Sequence, residues 1–153
     1  MIDLVINNFT KYKGLSRSFW QRIIIESSKT AGFEKYILDL SINLVGDAKM
    51  KSLNKKYRGK NLSTDVLSFP LKEKISIGDK KDGIISLGDI FICLPVAKKH
   101  AAIENVGLDF KVTFLAVHGF LHLLGFDHEK SPTEERRMFY LQDKILLGLG
   151  YSK

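Results

Sequence analysis

His118-Gly119-Phe120-Leu121-His122-Leu123-Leu124-Gly125-Phe126-Asp127-His128 holds three of the chain's four histidines in one short, otherwise apolar segment. On a helix, residues i and i+4 differ by about 40° in direction and about 6 Å in rise, so His118 and His122 share a face. Two imidazoles so placed can close on one zinc ion at roughly 2.0–2.1 Å each. Gly125 stands where the helix must end, and glycine takes the left-handed conformation past a helix end at little cost. That reversal can fold His128 back as a third ligand. A lone histidine in an apolar helix is usually a satisfied core residue. Two of them here would each need a separate buried hydrogen-bond partner, which makes shared metal coordination the stronger reading.

The spacing H-x-x-x-H-x-x-G-x-x-H equals that of the metzincin proteases, which place a general-base glutamate directly after the first histidine. Here that position is Gly119, so the metal cage is kept and the peptidase base is missing. Three protein ligands leave the fourth tetrahedral position to water, the arrangement of a catalytic zinc. Neutral ligands leave the ion its full charge and favour an anionic substrate. Asp127 is either a carboxylate that orients a histidine or a turn residue before His128. His100 lies on a Lys-rich stretch and is expected to be exposed and without a role.

Outward from this segment, Asp109 is placed to cap a helix from Phe110 to Leu124. Ser131-Pro132-Thr133-Glu134 is a capping box with proline at the first helical position, and it starts a last helix to about Leu147. Upstream, Ile2 to Asn8 reads as a strand, and Ser16 or Ser18 caps a helix running to about Ala31 before Gly32. Tyr36 to Val45 reads as a second strand with Leu38, Leu40, Ile42 and Leu44 on one face. Asp47 is read as the cap of a helix that stops near Gly59. Val66 to Phe69 is a short strand closed by Pro70, suited to a sheet edge. Lys72 to Gly83 is a polar, Gly-containing loop. Ile84 to Cys93 is a further strand broken at Gly88-Asp89, and Pro95 opens a helix to about Asn105. The order β-α-β-α-β-β-α-α-α predicts one α+β domain over residues 1–153, with a mixed four-stranded sheet, about five helices and a zinc-hydrolase-like cleft.

Bulk properties agree. The chain has 153 residues, 44% hydrophobic and 27% charged, within the range of one globular domain. One cysteine, Cys93, excludes an internal disulfide framework and a cysteine-rich zinc ribbon. The N-terminus shows no signal-peptide pattern and no apolar run reaches membrane-spanning length, so a soluble, cytoplasmic protein is expected. The formal net charge of +7 favours polyanions only weakly. Its distribution says more. Lys49, Lys51, Lys55, Lys56, Arg58 and Lys60 succeed one another without an acid between them, and Tyr57 lies inside the run. Such a run is commonly a solvated helix face. The alternative is an RNA contact through Lys55, Lys56, Tyr57, Arg58 and Lys60. Tyr57 would then stack on an unpaired base or else pack in the core, and Arg58 would grip phosphate bidentately.

His118 to His128 resembles the metal motif of the YbeY endoribonucleases, bacterial factors that mature ribosomal RNA. The resemblance extends to Asn54-Lys55-Lys56-Tyr57-Arg58, to Ser63-Thr64-Asp65-Val66-Leu67-Ser68-Phe69-Pro70 and to Leu87-Gly88-Asp89-Ile90-Phe91-Ile92, from about residue 50 onward. Phe126 stands where tyrosine is expected in many members, a change remote from metal binding. The resemblance implies one Zn2+ per chain on His118, His122 and His128, a functional Arg58, and cleavage of single-stranded RNA. It further implies a role in 3′-end maturation of small-subunit ribosomal RNA and in ribosome quality control. The partners implied are RNA and the ribosome, with a ribosomal protein or a ribosome-associated GTPase compatible, and no membrane or DNA partner.

The expected catalytic group is therefore Arg58, His118, His122 and His128 around a single cleft, with the general base unassigned. Two rivals make different predictions. A non-catalytic RNA-binding assembly factor with a structural zinc would supply a fourth protein ligand, from Asp127 or Asp89. A metallopeptidase or other metal hydrolase would need the base that Gly119 does not provide.

Overall fold

Ile2–Asn8 (β1) and Ile37–Val45 (β2) pair in parallel, in register from Ile2 opposite Leu38 to Asn8 opposite Leu44. The structure is a computed structural model and describes residues 1–73, 75 and 83–152. Parallel neighbours need a long crossover, which is Arg17–Thr30 (α1). The Phe19 N–H donates to Ser16 Oγ at 3.2 Å, which settles the start of α1 on Ser16 rather than Ser18.

Beyond β2 come Asp47–Arg58 (α2), Val66–Pro70 (β3), Ile84–Cys93 (β4), Leu94–Glu104 (α3), Leu108–Leu123 (α4) and Pro132–Gly148 (α5). Strand order is β1-β2-β4-β3, with β2 and β4 parallel and β3 antiparallel to β4 on the edge, where Pro70 is tolerated. Among the described residues, the element order, the mixed four-stranded sheet and the five helices agree with the sequence expectation.

The main core lies on one face of the sheet. Leu4, Leu38, Leu40, Ile42 and Leu44 point into it and meet Trp20, Ile23 and Ile24 of α1 and the apolar length of α4. Beyond α4, α5 adds Met138, Ile145 and Leu146. On the opposite face, α2 covers only the strand ends, through a smaller cluster of Val45, Met50, Leu67 and Cys93.

Three local expectations are corrected. Strand β4 is not broken at Gly88-Asp89. It is continuous with a bulge: Asp39 lies opposite Ser86, but Leu40 lies opposite Gly88, so Leu87 is an extra residue. The buried positions accordingly shift from Ile85 and Leu87 to Ile90 and Ile92. Gly88 sits at φ +129, where a Cβ would collide with the Phe69 carbonyl oxygen. The second and third corrections concern caps, because Gly46 and Gly107 occupy the cap positions of α2 and α4. Asp47 is instead in the first turn of α2, where its Oδ1 accepts from Ser63 Oγ at 3.2 Å. Asp109, in the first turn of α4, accepts from the Tyr151 hydroxyl. Both carboxylates still face a helix N-terminus, where negative charge is favourable. Most of the predicted loop from Lys72 to Gly83 lies outside the described residues.

Candidate metal centre

Helix α4 is apolar nearly all round, burying Val112, Leu115, Ala116, Val117, Phe120, Leu121 and Leu123, so it lies inside the domain between the sheet and α5. Gly119 sets how close it comes. A Cβ there would stand 2.9 Å from Ile90 Cγ2 and 3.3 Å from Ser68 Oγ, so the helix backbone rests directly on β4 and β3. A glutamate at this position would be driven into the sheet.

One turn apart on that helix, His118 and His122 bring their Nε2 atoms to 3.1 Å. The chain then reverses as expected. Leu124 caps α4, Gly125 adopts φ +103, Gly125 N–H donates to His122 O, and Phe126 N–H donates to Leu121 O, each at 3.0 Å. This pair of bonds is the Schellman closure. Phe126 packs on the core, with the Arg137 guanidinium 5.2 Å over its ring. Three residues past Gly125, His128 arrives beside the other two rings. One ligand atom from each of His118, His122 and His128 lies within 4.8 Å of the others, and no other such group occurs among the described residues.

The donor chemistry fits a metal ion. Burial pushes the His118 imidazole below its usual range. It takes His122 down to about 4, burial first and then the neighbouring His118 and His128 rings. Both rings are therefore neutral at pH 7, with lone pairs free to coordinate. Tetrahedral ligands at roughly 2.0–2.1 Å from one ion stand about 3.3 Å apart, close to the 3.1 Å seen for the first pair. His128 Nδ1 is buried without a hydrogen-bond partner among the described residues, so that ring is not tied down by a protein group there.

The three histidines form one side of a cleft of about 460 Å³ whose lining also includes Arg58, Thr64, Asp65, Ser68 and Asp127. Arg58 ends α2, with Gly59 in the left-handed conformation behind it, and its charge reaches His122. The cleft therefore unites four of the sequence-selected residues: Arg58, His118, His122 and His128. Lys55, Lys56 and Lys60 are exposed and lie outside its lining. Tyr57 is 57% exposed and packs edge-on against Phe69 at 5.0 Å, with Lys56 Nζ 5.2 Å from its ring centre. It is therefore not a core residue, and much of its ring is open to solvent.

Asp127 Oδ1 accepts from Glu129 N–H at 2.9 Å, so its turn role is observed, while its charge also favours protonation of His122. Asp89 lies in a different depression, where Ser41 Oγ donates to it at 2.5 Å. His100 is partly exposed, as expected, but it is not without a neighbour. Its Nδ1 is 3.4 Å from Asp65 Oδ2 on the cleft wall. Sequence reasoning also passed over Gln142 of α5, whose Oε1 is 3.0 Å from His118 Nδ1. Its signal was a lone amide within the buried stripe Met138, Gln142, Ile145 and Leu146.

No single helix among the described residues is long and apolar enough to cross a membrane. The family model described as Endoribonuclease YbeY matches residues 6–150, so the match begins well upstream of the quoted motifs. A protein named Endoribonuclease YbeY from Oenococcus oeni is 46% identical over 116 residues, 75% of this chain and 74% of that one. Proteins of the same name from Mycoplasma mycoides and Staphylococcus aureus are 41% and 37% identical, covering 91% and 95% of this chain and 85% and 97% of theirs. The solution structure of a Thermotoga maritima protein superposes with a TM-score of 0.63 at 25% identity, over 95% of this chain and 87% of that one.

Proposed function

The chain belongs to the YbeY endoribonuclease family, and from that premise we propose that it is a zinc-dependent endoribonuclease cutting single-stranded RNA. Its proposed place is in 3′-end maturation of small-subunit ribosomal RNA and in ribosome quality control, in the cytoplasm. The observation that carries this reading is the convergence of His118, His122 and His128 on the cleft that Arg58 also lines. When bound there, zinc supplies Lewis acidity toward a phosphoryl oxygen and lowers the pKa of water.

The protein's own groups then divide the remaining work. His118, His122 and His128 offer a neutral donor set, which leaves the site net positive and suited to a phosphodiester. Arg58, fixed at the last turn of α2, grips a non-bridging phosphate oxygen pair and holds the scissile group against the histidine wall. Lys55, Lys56 and Lys60 attract the backbone without entering the cleft, and Tyr57 meets a base at its rim. RNA is therefore the proposed partner, with the ribosome as its setting; a ribosomal protein or ribosome-associated GTPase is compatible with the charge.

Two rivals are less well supported. A structural zinc requires a fourth protein ligand, but among the described residues no carboxylate joins the group of His118, His122 and His128. A peptidase requires a base after the first histidine, and Gly119 rests on Ile90.

The deciding experiment incubates the purified protein with single-stranded RNA, with and without chelator, and maps the ends. Chelation is expected to abolish cleavage; turnover that survives both chelation and loss of His122 overturns the reading. Water as nucleophile leaves a 5′-phosphate and a 3′-hydroxyl, whereas a neighbouring 2′-hydroxyl leaves a cyclic phosphate.

A further inference from the structure

Gln142 is 3% exposed on an α5 face otherwise made of Met138, Ile145 and Leu146. A primary amide in such surroundings is costly unless it is paired. Its Oε1 stands 3.0 Å from His118 Nδ1. A neutral imidazole carries one proton, and a carbonyl oxygen can only accept. The contact therefore puts the proton on Nδ1 and leaves the lone pair on Nε2. That atom is the one 3.1 Å from His122 Nε2, facing the cluster. The ring is also held flat by Phe114, stacked at 6.3 Å and 11°, but stacking selects no tautomer.

We propose that Gln142 is the positioning residue of the metal centre: its buried amide oxygen locks His118 in the Nδ1–H form, with Nε2 turned to the ion. This rests on the metal reading given above. The opposite amide orientation would donate to Nδ1, force the proton onto Nε2 and close that ring to coordination. Because glutamine is uncharged, it orients the histidine while leaving the site's positive charge undiminished. A glutamate would orient it equally and make it a stronger donor.

The test uses the full chain with zinc alone, titrated against a competing chelator. Gln142→Met keeps size and removes the strong acceptor, and is expected to weaken zinc binding by about 10- to 100-fold. Gln142→Glu is expected to bind at least as tightly as wild type, a rescue that a merely space-filling role would not show. Nitrogen-15 NMR of the metal-free wild-type protein is expected to find the His118 proton on Nδ1, and the Met variant to lose that preference. Wild-type zinc affinity in Gln142→Met, or a wild-type His118 protonated on Nε2, overturns the proposal. A wild-type chain that binds no zinc overturns the metal reading and this proposal with it, and is recognised because no variant is needed to see it. Should Gln142→Met fail to fold by circular dichroism, the wild-type tautomer alone decides.

Discussion

Helices α4 and α2 bring functional side chains to the same cleft by opposite means. Helix α4 buries ten of its residues and presents His118 and His122 from within the core, with their charge suppressed by burial. Helix α2 buries only Met50 and Asn54 and presents Arg58 from a solvated, cationic end. The difference teaches that coordination and anion capture make contrary demands on their surroundings. Burial holds the His118 and His122 imidazoles neutral to lower pH than a free ring, whereas a guanidinium stays charged in water and needs only to be aimed.

Perturbing each side should therefore give separable losses. His122→Ala is expected to take bound zinc from about one per chain to near zero, measured by metal analysis, and RNA cleavage with it. Retained stoichiometry would remove the ligand assignment. Arg58→Glu removes a charge-assisted contact worth about 1.5–3 kcal/mol, so cleavage should fall by roughly 10- to 100-fold. Zinc content and melting temperature should not change, and a wild-type rate would return Arg58 to the solvated face. Gly119→Ala tests the packing beneath the histidines. Overfilling the contact with Ile90 should cost about 1–3 kcal/mol of stability in denaturant titration, and an unchanged midpoint would contradict the close approach of α4 to the sheet.

Smaller effects are expected from the rim and from pH. Replacing Lys55, Lys56 and Lys60 together by alanine should weaken RNA binding modestly. The salt slope should drop by about 0.7 for every phosphate no longer neutralised; an unaltered slope places these lysines off the RNA path. In the metal-free protein, His122 titrates at about 4 when folded but near the ordinary value of about 6.5 when unfolded. The unfolded chain thus takes the proton first, so stability is full above about 6.5 and declines as the pH falls toward about 4. Denaturation with chelator present should show that decline, and His122→Ala should flatten it.

Much of the architecture is legible in the sequence because its signals are periodic or punctual. Strand β1 can be read with its bounds, the α1 start to within Ser16 or Ser18, and the α5 start with Ser131, whose Oγ accepts from Glu134 N–H at 3.1 Å. The metal motif is legible because i and i+4 spacing and a left-handed glycine are local facts. The features that escape a sequence reading depend on partners distant along the chain. Gln142 acquires meaning only when α5 is laid beside α4. His100 acquires its partner only when Asp65 is brought to the cleft wall. Asp47 and Asp109 look like caps because they begin basic or apolar stretches, yet Gly46 and Gly107 take the extended position just ahead of them.

The bulge at Gly88 has a consequence for the geometry of the histidine cluster. Side chains along a strand alternate in parity, and the surplus Leu87 resets that parity halfway along β4. Without the reset, Asp89 rather than Ile90 would turn toward Gly119, and a carboxylate would be wedged beneath the helix that carries His118 and His122. Deleting Leu87 itself would restore plain alternation with Ile90 still facing inward. Deleting Asp89 would do the same, because either loss leaves three residues between Ile85 and Ile90. The seat of the histidine helix is thus fixed by arithmetic along a strand that contributes no histidine to the cluster.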